Sequence, residues 1–226
     1  MTETQKTSNT PMTDAAAVAR AHAVYTPFAL SFYDWIVHGL SNRLAWACPT
    51  ARIVDLYKRN LTPNHLEAAA GTGFFINRAG RSFDRLVLLD INAHCLDRAA
   101  KRLRRLGPQC REANLLAPLP FDLPAFDSVG LTYALHCLPG SMTEKLAAVD
   151  HLLPVLTKDA VLFGATILGA GVSPNVPARA LLDLYNKKGV FNNREDDLQS
   201  LKDGLERRFA HVEIAQHGLV ALFRAR

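Results

Sequence analysis

The spacing of apolar residues divides the chain into a helical N-terminal part and an alternating remainder. From about residue 14 to residue 60, apolar side chains such as Phe28, Phe32 and Leu40 recur at helical spacing. Five short apolar runs follow and predict buried strands, at about 64–69, 85–89, 109–113, 128–133 and 160–167. Amphipathic helices fill most of the gaps. This alternation predicts a mostly parallel sheet with helices on both faces.

The C-terminal part adds one more helix and two more strands. A single helical stripe is formed by Leu198, Leu201, Leu205 and Phe209. We interpret Asn193 as the N-cap of this helix. Runs at about 211–216 and 219–224, separated by Gly218, predict an antiparallel strand pair.

Composition places the chain among ordinary globular proteins. Its 226 residues are 49% hydrophobic and 21% charged, which fits one α/β domain. Five cations lie in residues 98–105 and account for much of the net charge of +5. In the same predicted helix, Leu96, Ala100 and Leu103 form an apolar stripe that predicts a buried face. Because no aromatic platform interleaves with these charges, a solvated helix face explains them better than a nucleic-acid site.

The cysteines and the N-terminus indicate the compartment. Four cysteines stand far apart, at Cys48, Cys95, Cys110 and Cys137, without the spacing of a metal or redox pair. We therefore expect reduced thiols and no metal site. Residues 1–13 lack the apolar core of a secretory signal, and no run approaches about 20 apolar residues. A soluble cytoplasmic protein without a membrane partner is expected.

A glycine-containing turn follows the first predicted strand. Residues 65–75 run from an apolar strand through Gly71, Thr72 and Gly73 into a helix, and small residues at such a turn let backbone amides approach a ligand. A second predicted strand ends in Asp90, which lies 23 residues after Glu67. An acid at this offset can accept both hydroxyls of a ribose. A nucleoside cofactor is therefore indicated.

These residues resemble the class I S-adenosylmethionine-dependent methyltransferases. The first motif of that family runs acid-x-Gly-x-Gly-x-Gly, and Glu67, Gly71 and Gly73 fit it, while Asp90 fits the ribose-binding acid. Ala69 departs from the motif by one methyl group, so we expect a slightly displaced turn and retained binding. The resemblance implies S-adenosylmethionine as cofactor and a seven-stranded, mostly parallel Rossmann-like α/β sheet with a C-terminal antiparallel strand.

The resemblance also supplies the rest of the predicted site. Residues 111–121 look like the segment that meets the adenine, and residues 126–139 look like the fourth strand beside the reactive methyl. The predicted cofactor-binding residues are Glu67, Ala69, Gly71, Thr72, Gly73, Asp90, Ile91, Asn92, Asn114, Leu115, Thr132 and Tyr33. Tyr33 belongs to the helical residues 1–60, which relatives use as a lid over the core, here residues 61–226.

For several residues near this site, the sequence allows two alternative roles. His136 follows the fourth strand, where it is either a general base or a packing residue. Trp35 and Trp46 are either walls of the substrate pocket or core residues. Cys137 fits a small core residue better than a nucleophile, because methyl transfer needs no covalent intermediate.

The predicted activity is methyl transfer from S-adenosylmethionine to an oxygen, nitrogen or sulfur atom of a small molecule, in secondary metabolism. A Rossmann dehydrogenase would need a third glycine where Ile76 stands. Methylation of RNA or protein, and an inactive methyltransferase-like binding module, are the alternatives. The oligomeric state is not predicted.

Overall fold

The computed structural model describes residues 42–226, in which seven strands form one sheet. The strands are β1 (Asn64–Ala68), β2 (Arg85–Asp90), β3 (Gln109–Glu112), β4 (Phe126–Thr132), β5 (Leu156–Ile167), β6 (Val212–His217) and β7 (Val220–Ala225), in the spatial order β3-β2-β1-β4-β5-β7-β6. Neighbours from β3 to β5 run parallel, whereas β7 is antiparallel to both β5 and β6. The predicted fold class is confirmed.

Helices connect the strands and cover both faces of the sheet. They are α1 (Thr50–Asn60), α2 (Phe74–Ala79), α3 (Ala93–Leu103), α4 (Met142–Lys145), α5 (Ala147–Leu152), α6 (Val176–Lys187) and α7 (Leu198–Glu206). Single 3₁₀ turns lie at Arg104–Leu106, Leu135–Cys137 and Leu153–Val155. A helical turn at Asn42–Leu44 precedes α1, which begins after Pro49 as predicted.

Alternate residues of each central strand feed two separate cores. In β2, Leu86 and Leu88 pack beneath α1, α2, α3 and α6, whereas Val87 and Leu89 pack with α4, α5 and α7. Successive side chains of a strand point to opposite faces, so a strand covered on both sides must be apolar throughout. This is why the predicted strands read as continuous apolar runs.

Three details differ from the sequence-based expectations. The N-cap of α7 is Asp197, whose carboxylate accepts the Ser200 N–H at 2.8 Å, and not Asn193. Asn193 is instead buried and donates to the carbonyl of Ile167 at 2.9 Å. On α3 the buried alanine is Ala99 and not Ala100, because Ala99 is the one that packs against the turn before α2.

The third difference is the start of β5, which begins at Leu156, four residues before the predicted apolar run. Lys158 and Asp159 are exposed there and interrupt the apolar pattern. The register between β4 and β5 also shifts between Phe126 and Ser128. Because the pairing is irregular there, the start of β5 cannot be predicted from the spacing of apolar residues.

Most of the predicted N-terminal lid, residues 1–41, lies outside the described residues. The described part that follows it is tied to the sheet: the Leu219 N–H donates to the carbonyl of Trp46 at 2.9 Å. None of the helices within residues 42–226 is long and apolar enough to cross a membrane.

Candidate functional site

A cavity opens where the carboxyl ends of β1, β2 and β4 meet. Eleven of the predicted site residues line it: Glu67, Ala69, Gly71, Thr72, Gly73, Asp90, Ile91, Asn92, Asn114, Leu115 and Thr132. Parallel strands bring the loops after their carboxyl ends to one edge of the sheet, and β1 and β4 are neighbours at which the strand order reverses. The fold therefore assembles in space what the sequence spreads over 66 positions between Glu67 and Thr132.

The turn between β1 and α2 uses three left-handed residues. Ala69, Gly71 and Gly73 have φ values of 58°, 51° and 68°. The two glycines have different surroundings. A Cβ on Gly71 would meet no atom within 4 Å, whereas a Cβ on Gly73 would lie 2.8 Å from the side chain of Leu103. Gly71 thus leaves open space beside the cavity, and Gly73 lets α3 pack closely against the turn.

Arg102 braces this turn from α3. Its guanidinium donates to the carbonyl of Thr72 at 2.9 Å and to the Thr72 hydroxyl at 2.8 Å, and it lies 6.0 Å from the ring centroid of Phe74. The Thr72 hydroxyl is therefore engaged with a cation of the protein itself. Sequence reasoning assigned Arg102 only to a solvated face, because nothing in a charge run tells which cation turns inward.

Asp90 is oriented by backbone N–H groups on both sides. One carboxylate oxygen accepts the Gly71 N–H at 2.9 Å, and the other accepts the Asn92 N–H at 2.9 Å. The residue is only 9% exposed, on the cavity wall. A carboxylate only accepts hydrogen bonds, so a group held in this orientation on the cavity wall suits the hydroxyls of a ribose.

Glu67 is held by side chains. It is 4% exposed, and its carboxylate accepts hydrogen bonds from the Tyr57 hydroxyl and, at 3.0 Å, from His65 Nε2. Gly130 of β4 lies opposite, where a Cβ would come within 2.3 Å of Glu67 Oε2. Sequence reasoning missed all three partners. A glycine inside an apolar strand was the one available signal, since it marks a close approach.

Other residues shape the wall with backbone or apolar contacts. Asn92 caps α3 by accepting the His94 N–H at 2.9 Å, and Asn114 accepts the Leu116 N–H at 3.0 Å. Their side-chain oxygens therefore fix local loops. An apolar portion of the wall is formed by Phe74, Phe75, Ala134, Leu138, Pro139 and Val190.

Comparisons with known proteins identify the family. A "Methyltransferase domain" profile matches residues 66–162. Demethylluteothin O-methyltransferase of Streptomyces thioluteus is 35% identical over 100% of this chain and 98% of that protein. The chain belongs to the class I S-adenosylmethionine-dependent methyltransferases. The physcion biosynthesis cluster O-methyltransferase of Aspergillus chevalieri is 34% identical, over 91% of this chain and 94% of its own length.

The fold of this methyltransferase also matches solved structures. The DhpI–SAH complex superimposes with a TM-score of 0.65 at 14% identity, covering 94% of this chain and 98% of the other. At that identity the likeness concerns the fold alone. It extends over the antiparallel end of the sheet as well as the cavity side.

His136 of the methyltransferase is buried and is not among the described residues that line the cavity. It is 3% exposed, its Nδ1 accepts the Ile167 N–H at 3.3 Å, and its ring meets Phe191 at 4.5 Å. Burial and the nearby Lys145 lower its pKa from 6.5 to about 3. Its role as a base stays a prediction, and this geometry favours the packing alternative.

The remaining candidates divide between the core and the undescribed segment. Trp46 is 1% exposed and packs 6.0 Å from Phe191, so it is a core residue. Cys137 is half-buried, packs against the core and also lines the cavity. Tyr33 and Trp35 lie outside the described residues.

Proposed function

We propose that this methyltransferase transfers the methyl group of S-adenosylmethionine to a hydroxyl oxygen of a small molecule of secondary metabolism. The observation that carries the choice of oxygen is the full-length likeness to two proteins named as O-methyltransferases. A cavity whose wall is partly apolar supports a compact organic acceptor.

The carboxylates on the wall suit the cofactor. Asp90 presents a fixed carboxylate for the ribose hydroxyls, and Glu67 presents a buried carboxylate for the ammonium group of the methionine part. Gly71 leaves room beside its backbone for close approach. Asn114 and Leu115, after β3, would meet the adenine. When bound, S-adenosylmethionine supplies an electrophilic methyl group on a sulfonium.

The chain's own contribution to the chemistry is alignment and exclusion of water. Among residues 42–226, the cavity wall contains neither histidine nor lysine. Its titratable groups there are Glu67 and Asp90, both engaged, together with Cys95, Tyr133 and Cys137. An acceptor hydroxyl that is acidic by itself, such as a phenol or an enol, needs least help from such a wall. We therefore propose this acceptor class.

A methyl-transfer screen with matched acceptors tests the proposal. Labelled S-adenosylmethionine is incubated with the protein and with phenols, enols, and the aniline or thiol analogue of each, and products are located by mass spectrometry. We expect label on oxygen in the phenol or enol set. Label only on nitrogen or sulfur refutes the acceptor class. Absence of saturable cofactor binding in calorimetry instead indicates an inactive binding module.

A further inference from the structure

A series of hydrogen-bonded polar side chains, buried except for the half-buried Thr62, runs behind Glu67. Thr62 Oγ1 lies 2.8 Å from Ser128 Oγ, which lies 2.8 Å from His65 Nδ1, and His65 Nε2 lies 3.0 Å from Glu67 Oε2. The Tyr57 hydroxyl donates to the other oxygen of Glu67. Only Glu67 among these five lines the cavity. This series of side chains thus runs from the cavity wall back to the loop that precedes β1.

The Glu67 carboxylate determines which nitrogen of the imidazole must donate to it. A carboxylate only accepts, so His65 Nε2 carries the proton directed at Glu67. The Ser128 hydroxyl can then donate to Nδ1, while the Thr62 N–H donates to Ser128 Oγ at 3.1 Å. The partner of one ring nitrogen sets the tautomer at the other. Ser128 therefore keeps the His65 ring turned towards the carboxylate.

Packing immobilises both donors. Tyr57 is fully buried, stacks on Phe75 at 5.4 Å and meets the edge of Phe163 at 5.0 Å. His65 is also fully buried and stacks on Phe163 at 5.9 Å. Burial, then the adjacent Glu67 carboxylate, raises the pKa of Tyr57 well above its ordinary value, so the phenol keeps its proton. Neither donor can turn away from the carboxylate without disturbing the core.

We propose that Tyr57 and His65 are positioning residues that hold the Glu67 carboxylate in the orientation that binds the cofactor's ammonium group. The inference rests on the proposed function, which assigns Glu67 to that group. Each donor occupies one carboxylate oxygen, and each oxygen keeps a lone pair for a cation in the cavity. Without a donor, a buried carboxylate is poorly satisfied and moves or takes up a proton.

The test uses two ligands that differ at the ammonium end. S-adenosylhomocysteine carries the amino acid group, and 5′-methylthioadenosine lacks it, so calorimetry with both isolates the contribution made through Glu67. Tyr57→Phe removes one hydroxyl. We expect it to weaken S-adenosylhomocysteine binding about tenfold and to change methylthioadenosine binding less than about twofold, as for loss of a hydrogen bond to a charged group. Equal weakening of both ligands, or of neither, overturns the proposal.

Matched variants separate positioning from general damage. Tyr185→Phe removes the hydroxyl of a different tyrosine, which is half-buried and has no described hydrogen bond to Glu67, and it should leave the ratio of the two affinities unchanged. His65→Gln retains an N–H donor and should keep more S-adenosylhomocysteine affinity than His65→Leu. If Tyr57→Phe does not fold, the His65 pair decides the question, and equal affinities for the two variants overturn the proposal.

The same measurements distinguish failure of this inference from failure of the proposed function. In a Glu67→Ala background, Tyr57→Phe should no longer change the affinity ratio, because its route of action has been removed. A persistent effect there overturns the positioning role. If the wild-type protein binds neither ligand, the proposed cofactor site itself is wrong. If it binds both and the ratio is insensitive to Tyr57 and His65, only the positioning role is lost.

Discussion

Gly130→Ala tests whether the Glu67 carboxylate is fixed in place. Gly130 lies in β4 directly opposite Glu67 of β1. An added Cβ would lie 2.3 Å from Glu67 Oε2 and 3.0 Å from its Cδ, where ordinary contacts begin at 3.4 Å. The oxygen must therefore move by about 1 Å. It cannot do so freely, since Tyr57 and His65 hold the two carboxylate oxygens.

The expected loss of stability can be worked out from these contacts. A displacement of about 1 Å breaks the 3.0 Å bond from His65, and loss of a hydrogen bond to a charged group costs about 1.5–3 kcal/mol. Overpacking a core typically costs about 1–3 kcal/mol. The two contributions overlap, so we expect the free energy of unfolding to fall by about 2–4 kcal/mol. For a chain of this length that corresponds to a Tm lower by roughly 5–15 °C.

Thermal and urea unfolding of four proteins provide the assay: the wild type, Gly130→Ala, Glu67→Ala and the double variant. Because the clash is with the carboxylate, Gly130→Ala should hardly change the free energy of unfolding in the Glu67→Ala background. Gly164→Ala is the control, since its Cβ would meet the Leu131 carbonyl at 1.9 Å and should destabilise either background. A Gly130→Ala protein that melts with the wild type would refute the reasoning.

Three further predictions follow from the same wall and from the core below it. Asp90→Ala should weaken S-adenosylhomocysteine binding by about 1.5–3 kcal/mol in calorimetry, and an unchanged affinity contradicts the ribose assignment. Ala69→Gly should raise the free energy of unfolding by up to about 1–2 kcal/mol, because φ at this position is 58°; a less stable variant contradicts this strain. The pKa of His136 is lowered to about 3, so the unfolded chain binds the proton more readily and stability should fall as pH drops from about 6.5 towards 3. His136→Asn should flatten that dependence in urea titrations while turnover per folded molecule stays near normal, whereas a loss of about 10²-fold or more indicates a base.

The fold was predictable because its evidence is local. Strands buried on both faces must be apolar over their length, and helices packed on one face must repeat at helical spacing, so β1, β2 and β3 were placed to within one residue. The meeting of the predicted site residues at one cavity has a related reason. Gly71 lies in the turn after β1 and Asp90 ends the adjacent parallel strand β2, so the order of those strands brings them together.

The support behind Glu67 was not predictable from spacing. His65 and Ser128 are 63 residues apart, and Tyr57 and Glu67 meet only because α1 packs on the face of the sheet, where Tyr57 contacts Phe163 of β5. A histidine or tyrosine in an apolar segment is equally consistent with plain core packing. Likewise, Asn and Asp are both favoured at the N-cap position, so Asn193 and Asp197 are equally good candidates by sequence. The path of the loop decides which of them lies at the first turn of α7.

The two carboxylates of the site therefore depend on different parts of the molecule. Asp90 is oriented by N–H groups of the turn and loop that adjoin it, so changes in the distant core should leave its geometry intact. Glu67 is oriented by side chains from α1 and β1 and by the space that Gly130 leaves in β4. Substitutions that loosen the packing between these elements should reduce stability and ammonium recognition together, while recognition of the nucleoside end persists. The two ends of the proposed cofactor site are thus coupled to the core to different degrees.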